Sequence, residues 1–313
     1  KNKCSLCCTI KIMKIVFFGT DDNSLVVLKG LLLGGHEIKM VVTSQDYLKA
    51  RSKKKYASPV NEYCVENKVP SSVGLSSKNL EGVDVIVVAS YGKIISESLF
   101  KAVPYGALNI HPSLLPSYRG PSPVRTALLN QDKETGVSII SLNSKMDSGP
   151  IIKQEKVVIK DGDSLESLTH KLFSRGLENL LDILSNPQVI KSARAQEEAR
   201  ATYTNKFLKE DGIIDWKQPG KSIISKIKAM GKSPGAHTTV GGKKFIIYQA
   251  VLGEKATGLE PGRTGISIFK GTKTPFIQSK DHQVLIMSLK PENKKEITGT
   301  DLINGYPELF NKD

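Results

Sequence analysis

The chain has 313 residues and a mass of 34.2 kDa, with 39% hydrophobic and 24% charged residues and a mean hydropathy of -0.21. That balance excludes a disordered or collagen-like polymer, and no apolar run approaches the roughly 20 residues that span a bilayer. Four cysteines, three of them in the first eight positions, make no disulfide scaffold and point to a reducing, cytoplasmic setting. The formal net charge is +14 and uneven: residues 1–60 hold 11 basic and 4 acidic side chains, residues 61–204 hold 16 of each, and residues 205–313 hold 18 and 11. A neutral middle between two basic ends suits a catalytic body flanked by surfaces for a polyanion; lysine faces kept for solubility would give the same total.

Residues 1–12 read as an extension foreign to the fold. Cys4, Cys7 and Cys8 have no second ligand pair for zinc. Met13 opens a buried strand over Ile15–Phe18 that ends at Gly19. A helix over Ser24–Leu33 closes at Gly34-Gly35, and a strand follows at Ile38–Val42. Ser58 caps a short helix with Pro59 in its first turn. Val83–Ala89 is a β-branched run, as expected of a strand covered on both faces. A strand at Ala107–Ile110, a helix at Pro123–Leu129 and a strand at Val137–Leu142 continue the alternation, and Asp163 caps an amphipathic helix running to about Leu184. The fold class is therefore α/β, a doubly wound, mostly parallel sheet. After a polar stretch at Ala195–Thr204 the pattern becomes β-rich and glycine-punctuated, with a helix at Ile223–Met230 and strands at Phe245–Tyr248, Gly265–Phe269 and Val284–Ser288. This predicts a second, small antiparallel β-barrel. The boundaries are 13–195 for the first domain, 196–210 for a linker and 211–313 for the barrel.

A dinucleotide site is the first chemistry to test in such a sheet. The turn Phe18-Gly19-Thr20-Asp21-Asp22 lacks G-x-G-x-x-G, and its two aspartates would repel a pyrophosphate. There is no P-loop, no H-E-x-x-H, and the five histidines are scattered, so no metal is expected. The informative segment is Asn109-Ile110-His111-Pro112-Ser113-Leu114-Leu115-Pro116-Ser117-Tyr118-Arg119-Gly120. Asn109 and His111 project from the same side of a strand's end, where α/β sheets bind ligands. An amide beside an imidazole can hold an oxyanion and move a proton, although a turn with a satisfied core histidine reads alike. Asp147, before Ser148-Gly149-Pro150, is either a turn former or, after the next parallel strand, a carboxylate brought near His111.

Taken together, Asn109-x-His111, Ser113-Leu114-Leu115-Pro116, Arg119-Gly120 and Asp147 resemble the folate-dependent formyltransferases. The resemblance implies formyl transfer from 10-formyltetrahydrofolate, a co-substrate, without a metal. It implies that Asn109 and His111 stabilise the oxyanion and that Asp147 positions His111 and helps remove an amine proton. It also implies that Ser113, Leu114, Leu115 and Pro116, with the backbone near Ala89–Gly92, line the folate site. A second domain with Ile214-Asp215-Trp216 at its start resembles the members that act on methionine carried by initiator tRNA and their sugar-modifying relatives, and the segment Thr43–Val60 resembles the tRNA-acting members. In that segment Arg51, Lys53, Lys54 and Lys55 would grip the tRNA, with Tyr47 and Tyr56 available for stacking. The implied partners are initiator methionyl-tRNA and folate, with no membrane and a monomeric chain. The implied roles are catalysis for 13–195 and tRNA contact for 211–313. An amino-sugar formyltransferase shares this layout, but its nucleotide-sugar substrate has too few charges to need the basic loop and tail. A silent RNA-binding module would not need the intact Asn109, His111 and Asp147. Asp21-Asp22 and Gly231–Gly235 depart from the family pattern.

Overall fold

The computed structural model describes residues 11–44, 47–48, 55–256 and 258–310. The chain folds as two compact units. One comprises the described residues up to Pro123 with Glu134–Val158 and Thr169–Thr204; the other comprises Val124–Lys133, Ile159–Leu168 and the described residues from Asn205 onward.

The elements of the first part run β1 (Lys14–Phe18), α1 (Asp22–Leu33), β2 (Glu37–Val42), the short strands β3 (Tyr47–Leu48) and β4 (Lys55–Tyr56), α2 (Pro59–Glu66), β5 (Ser71–Ser72), β6 (Val85–Ala89), α3 (Glu97–Phe100), β7 (Ala107–His111), α4 (Pro123–Leu129), β8 (Glu134–Ser141), β9 (Ile151–Val158) and α5 (Leu165–Ser185). Seven strands form a sheet in the order β5-β2-β1-β6-β7-β8-β9. The pairings from β5 to β7 are parallel, while β8 is antiparallel to both β7 and β9. All five residues of β6 are buried, because it is the middle of a parallel sheet covered on both faces. Val16, Phe18, Val42, Ile86, Val88 and Phe100 form part of the core on one side.

Local chemistry explains the helix starts. Asp21 caps α1 by accepting the Ser24 backbone N–H at 2.9 Å, so a carboxylate occupies the helix N-terminus where a phosphate would sit. Ser58 caps α2 in the same way. For α5 the cap is Ser164, whose Oγ accepts the Ser167 N–H at 3.2 Å. Asp163, one residue before it, accepts the Lys160 N–H at 2.8 Å. Leu168, Leu172, Leu180 and Leu184 of α5 are fully buried.

The second unit contains α6 (Gly220–Met230), β10 (Ala236–Val240), β11 (Lys243–Lys255), β12 (Thr264–Phe269), β13 (Thr272–Gln278), β14 (His282–Pro291), β15 (Ile297–Thr298) and α7 (Gly299–Gly305). Its six-stranded sheet is antiparallel, ordered β10-β11-β14-β13-β12 with β15 beside β14. The antiparallel domain is as predicted. The expected barrel form is not established by these pairings, since none among the described residues joins β12 to β10. Ile223, Ile227, Phe245, Ile247, Val284 and Ile286 belong to its core. The Arg125 guanidinium donates to the carbonyls of Ala229, Met230 and Ser233 at 2.8, 2.9 and 2.5 Å, satisfying the open end of α6. Among the described residues no helix is long and apolar enough to cross a membrane.

Candidate active site

Asn109 and His111 lie two residues apart in β7, at the C-terminal edge of the parallel strands. Asn109 is half-buried, and its amide has no hydrogen-bond partner among the described residues. His111 is 4% exposed, and its Nε2 lies 2.9 Å from the Tyr118 carbonyl oxygen. A carbonyl can only accept, so Nε2 carries a hydrogen and Nδ1 is the nitrogen left to exchange a proton. Nδ1 faces Asp147 Oδ2 at 3.6 Å.

Asp147 reaches His111 by a different route from the one the sequence suggested. β8 is antiparallel to β7, with His111 opposite Ser138 and Leu108 opposite Ser141, so β8 leads away from the histidine. The connection from β8 to β9 returns and presents Asp147 with φ of 48°, in the left-handed region. Its Oδ2 accepts the Gly120 N–H at 2.8 Å. Gly149 is required in this return, because a Cβ there would fall on the Ser141 carbonyl oxygen.

In the Ser113–Pro116 turn, Ser113 and Leu115 are buried while Leu114 and Pro116 are half-buried. Ser113 is 0% exposed and its Oγ donates to the Ser117 carbonyl at 2.6 Å. Ser138 Oγ donates to the Ser113 carbonyl and accepts the Leu115 N–H, while Gln154 donates to the Leu115 carbonyl at 2.7 Å. These polar groups are therefore bonded within the fold. Their effect is to fix the chain that carries the Tyr118 carbonyl to His111. At the end of β6, Ser90 donates to Asp21 Oδ2 at 2.6 Å, and Tyr91 sits edge-on to Phe18 with ring centroids 5.2 Å apart. Burial pushes the Tyr91 hydroxyl up from its ordinary pKa.

Sequence reasoning missed a supporting layer in the stretch assigned to the linker. Residues up to Thr204 pack with the first unit and tie down Tyr118–Gly120. Tyr118 N–H donates to Thr202 Oγ1 at 2.8 Å, Arg119 N–H to the Thr202 carbonyl at 2.8 Å, and Thr204 N–H to the Arg119 carbonyl at 2.7 Å. The Arg119 side chain, 1% exposed, donates to Gln196 Oε1, to both carboxylate oxygens of Glu198 and to the Tyr203 hydroxyl. Arg119 chiefly, through its hydrogen bonds, holds the Glu198 carboxyl below the usual range. The available signal was Arg119 itself, since a buried guanidinium must find acceptors.

Arg51, Lys53 and Lys54 lie outside the described residues. Of Lys55 only the backbone is described, in β4, where it pairs with Leu48 of β3.

Residues 13–184 match the formyl transferase family, and residues 206–307 match the formyl transferase C-terminal domain. The chain is 36% identical over 308 residues to the methionyl-tRNA formyltransferase of Dictyoglomus turgidum, covering 94% of this chain and 96% of that protein. It is 32% identical over 295 residues to the methionyl-tRNA formyltransferase of Pseudothermotoga lettingae, with coverage of 94% and 96%. Among solved structures, HypX from Aquifex aeolicus in complex with tetrahydrofolic acid matches with a TM-score of 0.67 at 18% identity, over 97% of this chain. This chain spans 49% of that longer protein, and the likeness is one of fold.

Proposed function

Because the chain belongs to the methionyl-tRNA formyltransferase family, we propose that it moves the formyl group of 10-formyltetrahydrofolate onto the α-amine of methionine esterified to initiator tRNA, for translation initiation. The neutral amine attacks the formyl carbon, a carbon–nitrogen bond forms, and the carbonyl electron pair moves to oxygen. Collapse of the tetrahedral intermediate breaks the bond to the folate nitrogen, which leaves with a proton as the amine gives one up. The balance needs no oxidant, reductant or metal.

The observation that carries this reading is the approach of Asp147 Oδ2 to His111 Nδ1, at 3.6 Å, with the Asn109 amide, two residues before His111 in β7, without a partner among the described residues. Asn109 is the donor for the oxyanion, because its N–H groups have no competing acceptor among the described residues. His111 has Nε2 engaged by Tyr118, so the proton it exchanges is carried on Nδ1, between it and Asp147. Asp147 and His111 together take the amine proton and return it to the departing nitrogen. For the folate, Tyr91 and the backbone of Ala89–Gly92 at the end of β6 supply the flat, partly apolar wall a pterin needs. The excess of positive charge in residues 205–313 and the cluster Arg51, Lys53, Lys54 and Lys55 suit a tRNA phosphate backbone.

The test is formyl transfer to charged initiator tRNA by the full chain and by Asp147→Asn. The amide cannot accept the proton, so turnover should fall to near background while the melting temperature stays close to wild type. Near wild-type kcat in that variant would overturn the site assignment. Transfer to a nucleotide-linked amino sugar, with none to charged tRNA, would overturn the acceptor.

A further inference from the structure

We propose that Gln196 is a positioning residue for Asp147, with Arg119 dictating which way its amide faces. The proposal rests on the reading of Asp147 as a proton-transfer group given above.

Gln196 Nε2 donates to two carbonyl oxygens, those of Asp147 and Gly149, each at 2.7 Å. An amide nitrogen has two hydrogens, so both are spent on the loop that carries Asp147. On the other end, Gln196 Oε1 accepts from Arg119 Nε at 3.1 Å and from Nη2 at 2.9 Å. A guanidinium has donors and no acceptor, so only the oxygen of Gln196 can face it. The nitrogen is thereby forced towards the two carbonyls, and a flipped amide would oppose donor to donor and acceptor to acceptor.

Asp147 needs such a restraint. A non-glycine residue with φ of 48° keeps that conformation only where its surroundings hold it. The Gly120 N–H holds the carboxylate, and Gln196 holds the peptide on the far side of the same residue. The carboxylate therefore stays opposite His111 Nδ1 because the backbone is fixed from one side and the side chain from the other. Arg119 remains anchored by Glu198 and Tyr203 whatever occupies position 196. Gln196 itself makes no hydrogen bond to Asn109 or His111 among the described residues. Its influence on the reaction runs through Asp147.

The variant that separates positioning from scaffolding is Gln196→Glu. A carboxylate still accepts from Arg119 but has no hydrogen for the carbonyls of Asp147 and Gly149. In the full chain, with charged initiator tRNA and 10-formyltetrahydrofolate, kcat should fall by about ten- to a hundredfold. Both KM values should stay within about threefold, and the acidic limb of the pH–kcat profile should move. Wild-type kcat and an unmoved profile in Gln196→Glu would overturn the proposal. Gln196→Ala guards against a folding artefact: if both variants lose activity only as their folded fraction falls, Gln196 is structural and the proposal fails. If Asp147→Asn keeps near wild-type kcat, the underlying reading of Asp147 is what fails.

Discussion

Arg119 and Glu198 meet fork to fork, Nη1 on Oε1 at 3.0 Å and Nη2 on Oε2 at 2.9 Å, with the arginine side chain 1% exposed and the glutamate 69%. The pairing lets a buried cation reach solvent through a partner at the surface, which lowers the cost of its desolvation. It also holds in a fixed position the guanidinium that faces the Gln196 amide oxygen.

The first prediction follows from that pair. The Glu198 carboxyl is held below its ordinary pKa, first by the hydrogen bond from Arg119. A depressed folded-state pKa contributes stability that is complete above the unfolded carboxylate value, roughly 4.3, and is lost as pH falls through the lower folded value. Glu198→Gln should therefore have a lower melting temperature at neutral pH and a smaller decline on acidification. Melting curves of the two proteins that stay parallel between about pH 7 and pH 3 would refute it.

Asn109→Ala removes the proposed oxyanion donor. One such donor is worth about 2.7–4 kcal/mol, so kcat should fall by roughly two to three orders of magnitude. KM for either substrate should hardly change, since the interaction strengthens only in the transition state. A rise in KM at constant kcat would assign Asn109 to ground-state binding instead.

Gly149→Ala should damage the site without touching its chemistry. The added methyl falls on the Ser141 carbonyl oxygen, so the return of the loop must shift and carry Asp147 with it. A displacement of about 1 Å can cost a hundredfold in rate. Gly162→Ala is the control, because its Cβ meets nothing within 4 Å and φ there is not in the left-handed region. That change should leave turnover unaltered and stabilise the fold slightly, by about 0.4–1 kcal/mol. Equal activity in the two variants would show that the close approach at Gly149 has no bearing on Asp147.

Removing Lys53, Lys54 and Lys55 together should weaken charged-tRNA binding and reduce the slope of log affinity against log salt by roughly two to three units. Folate affinity should stay constant. An unchanged salt slope would mean that these three charges face water.

Much of the first domain was legible in the sequence because local periodicity reports burial. The run at Val85–Ala89 is covered on both faces, and the helix expected after the first strand spans Asp22–Leu33. β9 was missed because Lys153, Gln154, Glu155 and Lys156 place polar side chains in mid-strand, and an edge strand tolerates them in contact with water. The stretch from Ala195 to Thr204 looked like a linker for a similar reason. Polar composition without periodicity does not reveal that Gln196 and Glu198 are acceptors for a buried arginine.

The sequence by itself determined the strand–helix alternation, the antiparallel second domain and the chemical inventory of Asn109, His111 and Asp147. These follow from hydrophobic spacing and from side-chain types, which are local properties. Tertiary structure decided the direction of β8, because the connection from β7, which contains α4, is long enough to enter the sheet in either sense. It also decided which oxygen faces which nitrogen of His111, and that Ser113 and Leu115 support the site from within. Those outcomes depend on hydrogen bonds between residues far apart in the chain, and such partners leave no periodic trace in the segments that contribute them.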